Sequence, residues 1–275
     1  MSVQAALRAG AARLGAAGIG EGAREARLLM AAALRLDPSR MTLHLHDDLD
    51  PEGAARFEAL VVRRAAREPM SHILGQRQFY GRAFKVTGDV LDPRPETECL
   101  VAAALEEGFE RVLDLGTGSG CILLSLLAER EGAHGLGADV SAAALDVARE
   151  NAARLGLASR AAFQEADWFK GIAGQYDLIV SNPPYIGIAE MPELAPELAH
   201  EPRGALTDEG DGLSAYRAIA AGVLAHLVPG GRILVEIGRT QGADVARIFA
   251  EAGLQAVELR QDLDGRDRVV MARSA

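Results

Sequence analysis

The segment Asp177-Leu178-Ile179-Val180-Ser181-Asn182-Pro183-Pro184-Tyr185 is an apolar run that ends in a chemically distinctive loop. Two consecutive prolines remove two backbone donors and hold the chain extended, so carbonyls there stay free to accept hydrogen bonds. Asn182 adds a side-chain acceptor, and Tyr185 adds a flat apolar face. That set suits a planar –C–NH₂ group: two acceptors hold its two protons, and a ring covers its plane. Such a nitrogen is a poor nucleophile because its lone pair is delocalised. Acceptors that hold its protons favour pyramidal character and aim the lone pair. Positioning supplies much of the barrier reduction for group transfer to it, and no histidine or cysteine nucleophile is required. The plainer reading of the same residues is a rigid turn at a strand end.

A second constellation lies 66 residues upstream. Val112-Leu113-Asp114-Leu115 reads as a buried strand that runs into Gly116-Thr117-Gly118-Ser119-Gly120, and an apolar helix over 122–127 follows at once. Glycines at alternate positions let the backbone approach a ligand and take positive φ without strain. The helix N-terminus behind them offers free N–H groups and the positive end of a dipole. The pattern G-x-G-x-G, with Asp114 before it, departs from the dinucleotide fingerprint G-x-G-x-x-G. Asp139 ends the next strand, 19 residues after Gly120, where a carboxylate can accept from ribose hydroxyls. Asp167 and Trp168 end the strand after that. The acid there can take an adenine amino group and the indole can pack on the ring. Together these residues fit a pocket for S-adenosylmethionine.

The elements that must position these groups follow from pattern. From Arg111 onward, strands are expected at 111–115, 134–139, 160–165, 176–181, 232–237, 255–260 and 268–272, with helices between most of them. That alternation implies an α/β fold with a mostly parallel sheet. The first 68 residues read as a helical bundle. Val3, Ala6, Leu7 and Leu14 share one face, and Leu28, Leu29, Ala32 and Leu36 continue the period in a second helix. Asp50 is an N-cap with Pro51 at the first helical position, and Phe57, Leu60, Val61 and Arg64 mark the helix that follows. Tyr80-Gly81 between short β-prone runs predicts a hairpin, and Pro93 and Pro95 break the chain before a helix starting near Glu96.

Composition narrows the function classes. The 275 residues carry 39 acidic and 29 basic groups, a net charge of −10. Residues 1–90 are net +3 and residues 91–275 net −13, which opposes a polyanionic substrate at the glycine-rich domain. Only Lys85 and Lys170 accompany 27 arginines, a compositional bias rather than phosphate recognition. Two cysteines, Cys99 and Cys121, exclude a disulfide scaffold and read as packing thiols in a reducing compartment. No apolar run reaches the roughly 18 to 20 residues of a membrane span, and no secretory leader is evident, so a cytoplasmic protein without membrane association is expected. His44 and His46 lack a third ligand, so no metal is expected. Arg63, Arg64 and Arg67 read as a solvated basic face, or as a surface that docks a protein substrate.

With these residues in view, the chain resembles the PrmC/HemK family, the glutamine N5-methyltransferases of class 1 peptide chain release factors. The resemblance runs through Glu68-Pro69-Met70-Ser71-His72-Ile73-Leu74-Gly75, Phe79-Tyr80-Gly81 and Val90-Leu91-Asp92-Pro93-Arg94-Pro95-Glu96-Thr97-Glu98. It continues through the glycine-rich loop, Asp167-Trp168-Phe169, Asn182–Tyr185 and Gly265-Arg266-Asp267-Arg268. The Pro-Arg-Pro-Glu-Thr-Glu segment is the most diagnostic of these. The resemblance implies the class I S-adenosylmethionine-dependent methyltransferase fold, Rossmann-like with seven strands. It further implies an N-terminal recognition bundle at 1–70, a hairpin linker at 71–92 and a methyltransferase domain at 93–275.

It implies that residues 116–120, Asp139, Asp167, Trp168 and Asn182 contact the cofactor, giving S-adenosylhomocysteine as product. Asn182, Pro183, Pro184 and Tyr185 would bind the substrate glutamine, and Arg94, Glu96 and Thr97 would close over both. The expected partner is a release factor carrying a Gly-Gly-Gln loop, met by a monomer that holds no stable nucleic acid. His72 replaces an expected tyrosine and Asp92 an expected aliphatic residue, which bears on how the hairpin packs. Other readings of the catalytic loop are methylation of a ribosomal-protein glutamine, amino methylation of a flipped adenine or cytosine, and cofactor binding without turnover.

Overall fold

The computed structural model describes all 275 residues. Contacts divide the chain into two units, Met1–Gly75 with Ala195–His200, and Gln76–Leu194 with Glu201–Ala275.

The first unit is built from α1 (Val3–Ala16), α2 (Gly22–Leu34), a 3₁₀ segment (Pro38–His44), α3 (Pro51–Ala65) and the short α4 (Met70–Leu74). Asp50 caps α3 as expected, its carboxylate accepting from the Gly53 N–H at 2.7 Å with Pro51 at the first position. The predicted face of α1 is buried. The face of α2 is not the one the sequence suggests: Ala26, Leu29, Met30 and Ala33 are buried, Ala32 is exposed, and Leu36 lies beyond the helix end. An alanine-rich helix offers several weak stripes of similar apolarity, and packing chooses among them.

Within the basic run, Arg64 departs from the expectation of a solvated face. Arg64 is buried and forks between the Glu25 carboxylate (Nε–Oε2 2.6 Å) and Glu197 (Nη1–Oε1 3.1 Å). Arg67 reaches Glu197 at 3.4 Å, and Arg63 pairs with Glu68. Arg64 and Arg67 hold the returning segment Ala195–His200 on the bundle through Glu197, while Arg63 remains exposed. The carboxylates that neutralise Arg64 are distant in sequence.

The second unit opens with a hairpin, β1 (Gln76–Phe79) and β2 (Arg82–Lys85), joined by Tyr80 and Gly81 at φ 47° and 74°. Positive φ at both turn positions matches the twist of a two-residue hairpin. Phe79 and Phe84 are fully buried, so the two unexpected residues do not disturb its packing. His72 lies in α4, and Asp92 is buried near Arg77 and Arg94 at 3.7 and 3.8 Å. The helix expected near Glu96 begins as a 3₁₀ turn (Pro95–Thr97) that passes into α5 (Glu98–Leu105).

The remaining elements alternate: β3 (Arg111–Leu115), α6 (Cys121–Glu129), β4 (His134–Asp139), α7 (Ala142–Arg154), β5 (Ala161–Glu165), β6 (Tyr176–Ser181), α8 (Ser214–His226), β7 (Leu227–Glu236), α9 (Gly242–Glu251), β8 (Gln255–Gln261) and β9 (Asp267–Arg273). The seven strands β3 to β9 form one sheet in the order β5-β4-β3-β6-β7-β9-β8. β3 to β7 run parallel and β9 is antiparallel to both neighbours. One face packs against the mostly apolar α6 and α5, the other against Tyr216 and Ile219 of α8 and Phe249 of α9. After β3 the chain moves outward through β4 and β5, and it returns to β3's other side at β6. That reversal opens a crevice at the carboxyl ends of β3 and β6, where the glycine-rich loop and the Asn-Pro-Pro-Tyr loop begin. No helix is long and apolar enough to cross a membrane.

Candidate active site

The crevice holds a cavity of about 290 Å³. Its walls include Gly116, Thr117, Gly118 and Ser119 after β3, Asp139 after β4, Asp167 and Trp168 after β5, and Asn182 and Pro184 after β6, together with Arg94 and Thr97. Residues spread over more than 80 positions thus converge because parallel strands deliver their ends to one edge. Gly120, Glu96, Pro183 and Tyr185 stand outside the lining. Glu96 is exposed, and Tyr185 packs against the core beneath α8.

The glycine-rich loop needs its glycines for two reasons. Gly116, Gly118 and Gly120 all have positive φ. A Cβ on Gly116 or Gly118 would enter open space, whereas one on Gly120 would press on Leu124 and Ala148 at 3.1 and 3.2 Å. The first two therefore admit a ligand to the backbone, and the third lets α6 approach α7. Asp139 braces this loop: one carboxylate oxygen accepts the Gly118 N–H and the other the Ser141 N–H, each at 2.9 Å. A carboxylate oxygen has a second lone pair, so acceptor capacity remains toward the cavity. Trp168 lines the cavity at φ 52°, a left-handed conformation that costs energy for a non-glycine residue and aims the ring. An adenosyl group with an amino-acid tail fits this donor set: backbone N–H groups and open space at the glycines, a carboxylate at the ribose position, an indole and Asp167 farther along the edge.

Asp114 lies beneath the loop, fully buried, accepting from the Thr117 hydroxyl at 2.7 Å. Burial, with Asp139 adding to it, pushes its carboxyl up to about 7. Burial likewise pushes Glu236, at the end of β7, to about 7. Both pKa values are raised, so the folded protein binds more protons than the unfolded chain between the ordinary carboxylate range and neutrality. Stability then falls as pH rises through that window. The melting midpoint of the ligand-free protein is expected to decline between about pH 5 and pH 8, and Asp114→Asn to flatten part of that decline. Parallel curves for the two proteins would refute the assignment. The Cys121 thiol on the cavity wall is pushed up to about 12 by burial, so it packs and does not react.

Arg94 is held at the cavity mouth by both oxygens of Glu201, at 2.7 and 2.9 Å from Nη2. The Glu201 side chain is 1% exposed, and burial raises its pKa despite the guanidinium. Glu201 escaped the sequence reading, because nothing in its local pattern connects it to a residue 107 positions away.

The Asn-Pro-Pro-Tyr loop is tied to the glycine-rich strand, since the Ser181 hydroxyl donates to the Leu115 carbonyl at 2.7 Å. The Asn182 side-chain NH₂ donates to Thr97 Oγ1 at 3.2 Å. Its donor end is therefore engaged within the protein. The Tyr185 carbonyl accepts from Gln241 Nε2 at 2.9 Å, and its hydroxyl donates to Glu236 Oε1 at 3.4 Å. Glu236 was not anticipated. The available signal was a carboxylate closing the apolar run Ile233-Leu234-Val235, one strand over from Asn182 on the same sheet edge.

Two family models match the chain, the PrmC N-terminal domain over residues 5–75 and the methyltransferase small domain over residues 91–217. The release factor glutamine methyltransferase of Cereibacter sphaeroides is 60% identical over 98% of this chain and 97% of its own. That of Rhodospirillum rubrum is 48% identical over 97% of this chain and 83% of its own. A crystal structure of a methyltransferase from Pyrococcus furiosus superposes with a TM-score of 0.56 at 16% identity, over 79% of this chain and 98% of that one, a likeness of fold alone.

Proposed function

The chain belongs to the PrmC/HemK family of release factor glutamine methyltransferases, and from that premise we propose how its own residues carry the reaction. It is a methyltransferase acting on the side-chain amide nitrogen of a release factor glutamine. The substrate position is the glutamine of the Gly-Gly-Gln loop in class 1 release factors, and the methyl donor is S-adenosylmethionine.

The observation that carries this reading is the Asn182 amide, whose NH₂ is engaged by Thr97 while the residue lines the same cavity as the glycine-rich loop. Its oxygen and the Pro183 carbonyl accept the two protons of the glutamine amide, Pro184 walls the site, and Tyr185 supports the loop from the core side. Holding both protons in place directs the nitrogen lone pair along the transfer axis. Gly116, Thr117, Gly118, Ser119 and Gly120 would hold the methionine and ribose side of the cofactor, Asp139 the ribose, and Asp167 with Trp168 the adenine. The bound cofactor would supply the electrophilic sulfonium methyl group. Transfer of that group to the oriented amide nitrogen would leave S-adenosylhomocysteine, and the displaced amide proton would pass to solvent. Arg94, fixed by Glu201, and the neighbouring Glu96 and Thr97 form the segment that covers the site.

The net −13 charge of residues 91–275 supports a protein loop over a nucleic-acid strand as substrate. A transfer assay with tritiated methyl donor tests the reading. Label is expected in purified class 1 release factor, and is expected to vanish when its Gly-Gly-Gln glutamine is changed to alanine. Label in nucleic acid, or undiminished label in the altered release factor, would overturn it.

A further inference from the structure

The Asn-Pro-Pro-Tyr loop is short of backbone donors, because Pro183 and Pro184 have no N–H. Its course therefore depends on how its ends are held. At the entrance the Ser181 hydroxyl donates to the Leu115 carbonyl. At the exit the peptide group between Tyr185 and Ile186 is held from both sides. The Ile186 N–H donates to the Leu206 carbonyl at 3.0 Å, and the Tyr185 carbonyl accepts from Gln241 Nε2 at 2.9 Å.

Gln241 occupies the N-cap position of α9, yet its side chain makes no capping bond to that helix. It turns across to three other elements instead. The same Nε2 donates to the Gly212 carbonyl at 3.2 Å. Oε1 accepts from the Gly238 N–H at 3.0 Å and from the Tyr216 hydroxyl at 3.4 Å. Two carbonyls call for two N–H donors, and an N–H calls for an acceptor, so a carboxamide matches this set and its orientation is fixed by it. A glutamate offers the acceptor without the donors, and an apolar side chain of like length offers neither.

The two carbonyls are the ends of one excursion. The chain leaves the catalytic loop at Tyr185, runs through residues 186–211, and comes back against Tyr185 at Gly212. The neck is tight: a Cβ on Gly212 would overlap the Tyr185 carbonyl oxygen, and Gly212 has φ 75°, where glycine is favoured. The excursion brings Pro202, Gly204 and Ala205 to the cavity wall. One side-chain amide thus closes the neck of that segment and fixes the exit of the catalytic loop.

We propose that Gln241 anchors the exit of the Asn-Pro-Pro-Tyr loop and is a positioning residue for methyl transfer, setting where the Pro183 carbonyl stands. The proposal rests on the reading that this loop holds the substrate amide. Proline fixes φ at position 184 and restricts the residue before it, so the stretch from Pro183 to Tyr185 is stiff. A turn of the Tyr185 peptide is therefore passed to the Pro183 carbonyl instead of being absorbed. An acceptor displaced in this way no longer holds the amide for in-line transfer.

The test uses the full-length enzyme and purified release factor. Values of kcat are normalised to sites that bind S-adenosylhomocysteine, titrated by the fluorescence of Trp168, the only tryptophan. Gln241→Glu keeps the shape and the acceptor for Gly238 and removes both donors. It is expected to lower kcat roughly 10- to 100-fold, with KM for release factor and cofactor affinity within about threefold of the unaltered enzyme. Gln241→Met removes acceptor and donors together and is expected to show a loss of the same order. A residue that only packs would lower the unfolding midpoint and leave kcat per site unchanged. That outcome in either variant overturns the proposal, and so does a loss carried by KM or cofactor affinity alone. If one variant does not fold, the other decides. Asn182→Ala separates the two levels: if it loses turnover while the Gln241 variants do not, only this proposal fails, and if it also turns over normally, the reading of the loop fails.

Discussion

Asn182→Ala is expected to lower methyl transfer to release factor by at least about 10²- to 10³-fold while leaving most of the cofactor affinity in place. The size follows from what the side chain does in the proposed reaction. Its oxygen is one of two acceptors that keep the glutamine amide oriented while the nitrogen gains a bond, and alanine offers nothing in its place. The Pro183 carbonyl alone restrains one proton and leaves the amide free to rotate. Cofactor affinity persists because the adenosyl side of the cavity is built from other elements, the loops after β3, β4 and β5. Single-turnover transfer with tritiated donor, beside equilibrium binding of the donor, separates the two quantities. Turnover within a few-fold of the unaltered enzyme would remove Asn182 from the chemistry.

Arg64→Ala is expected to destabilise the helical unit by about 2 to 4 kcal/mol. The side chain is 8% exposed and faces Glu25 and Glu197, themselves 16% and 25% exposed. Removing the guanidinium leaves the Glu25 carboxylate short of water and without its counter-charge, and leaves Glu197 with Arg67 alone at 3.4 Å. The residual solvent contact of the two glutamates keeps the cost below that of a fully buried pair. Lysine does not rescue, since one ammonium on a flexible stem cannot bridge two carboxylates with fixed donors. Arg63→Ala, by contrast, opens a half-exposed pair with Glu68 and is expected to cost under about 1 kcal/mol. Hydrogen-exchange protection of α2 and α3, with the unfolding midpoint, reads both. Equal effects at positions 63 and 64 would show that burial is not what sets their difference.

The arginine run illustrates what could be read along the chain and what could not. Phe57, Leu60, Val61 and Arg64 mark the helix by their spacing, and in the structure Phe57, Val61 and Arg64 are buried. Charge counting placed the same residue in solvent. Only the fold brings Glu25 and Glu197 to it, from 39 positions before and 133 after, and a buried arginine is tolerable only with such partners.

The strands were legible to within a few residues, because a parallel strand covered on both faces is a continuous apolar run bounded by glycine, proline or charge. β3, β4 and β6 begin and end where that pattern says. The glycine-rich loop and Asn-Pro-Pro-Tyr were legible for a different reason: positive φ and missing donors are properties of residue types and need no neighbours to be recognised. The antiparallel insertion of β9 between β7 and β8 was not legible, since strand order depends on which edges meet.

By itself, then, the sequence determined the local character of this chain: the donor-poor loop at Asn182, Pro183 and Pro184, the open backbone at Gly116 and Gly118, and the acidity of the domain that carries them. Tertiary structure alone decided which buried charges serve those groups. Glu201 on Arg94, Glu197 on Arg64 and Glu236 beside Tyr185 each act across the fold on partners remote in the chain. A carboxylate carries no local mark of its partner, and its role is set by the low-dielectric surroundings into which folding brings it.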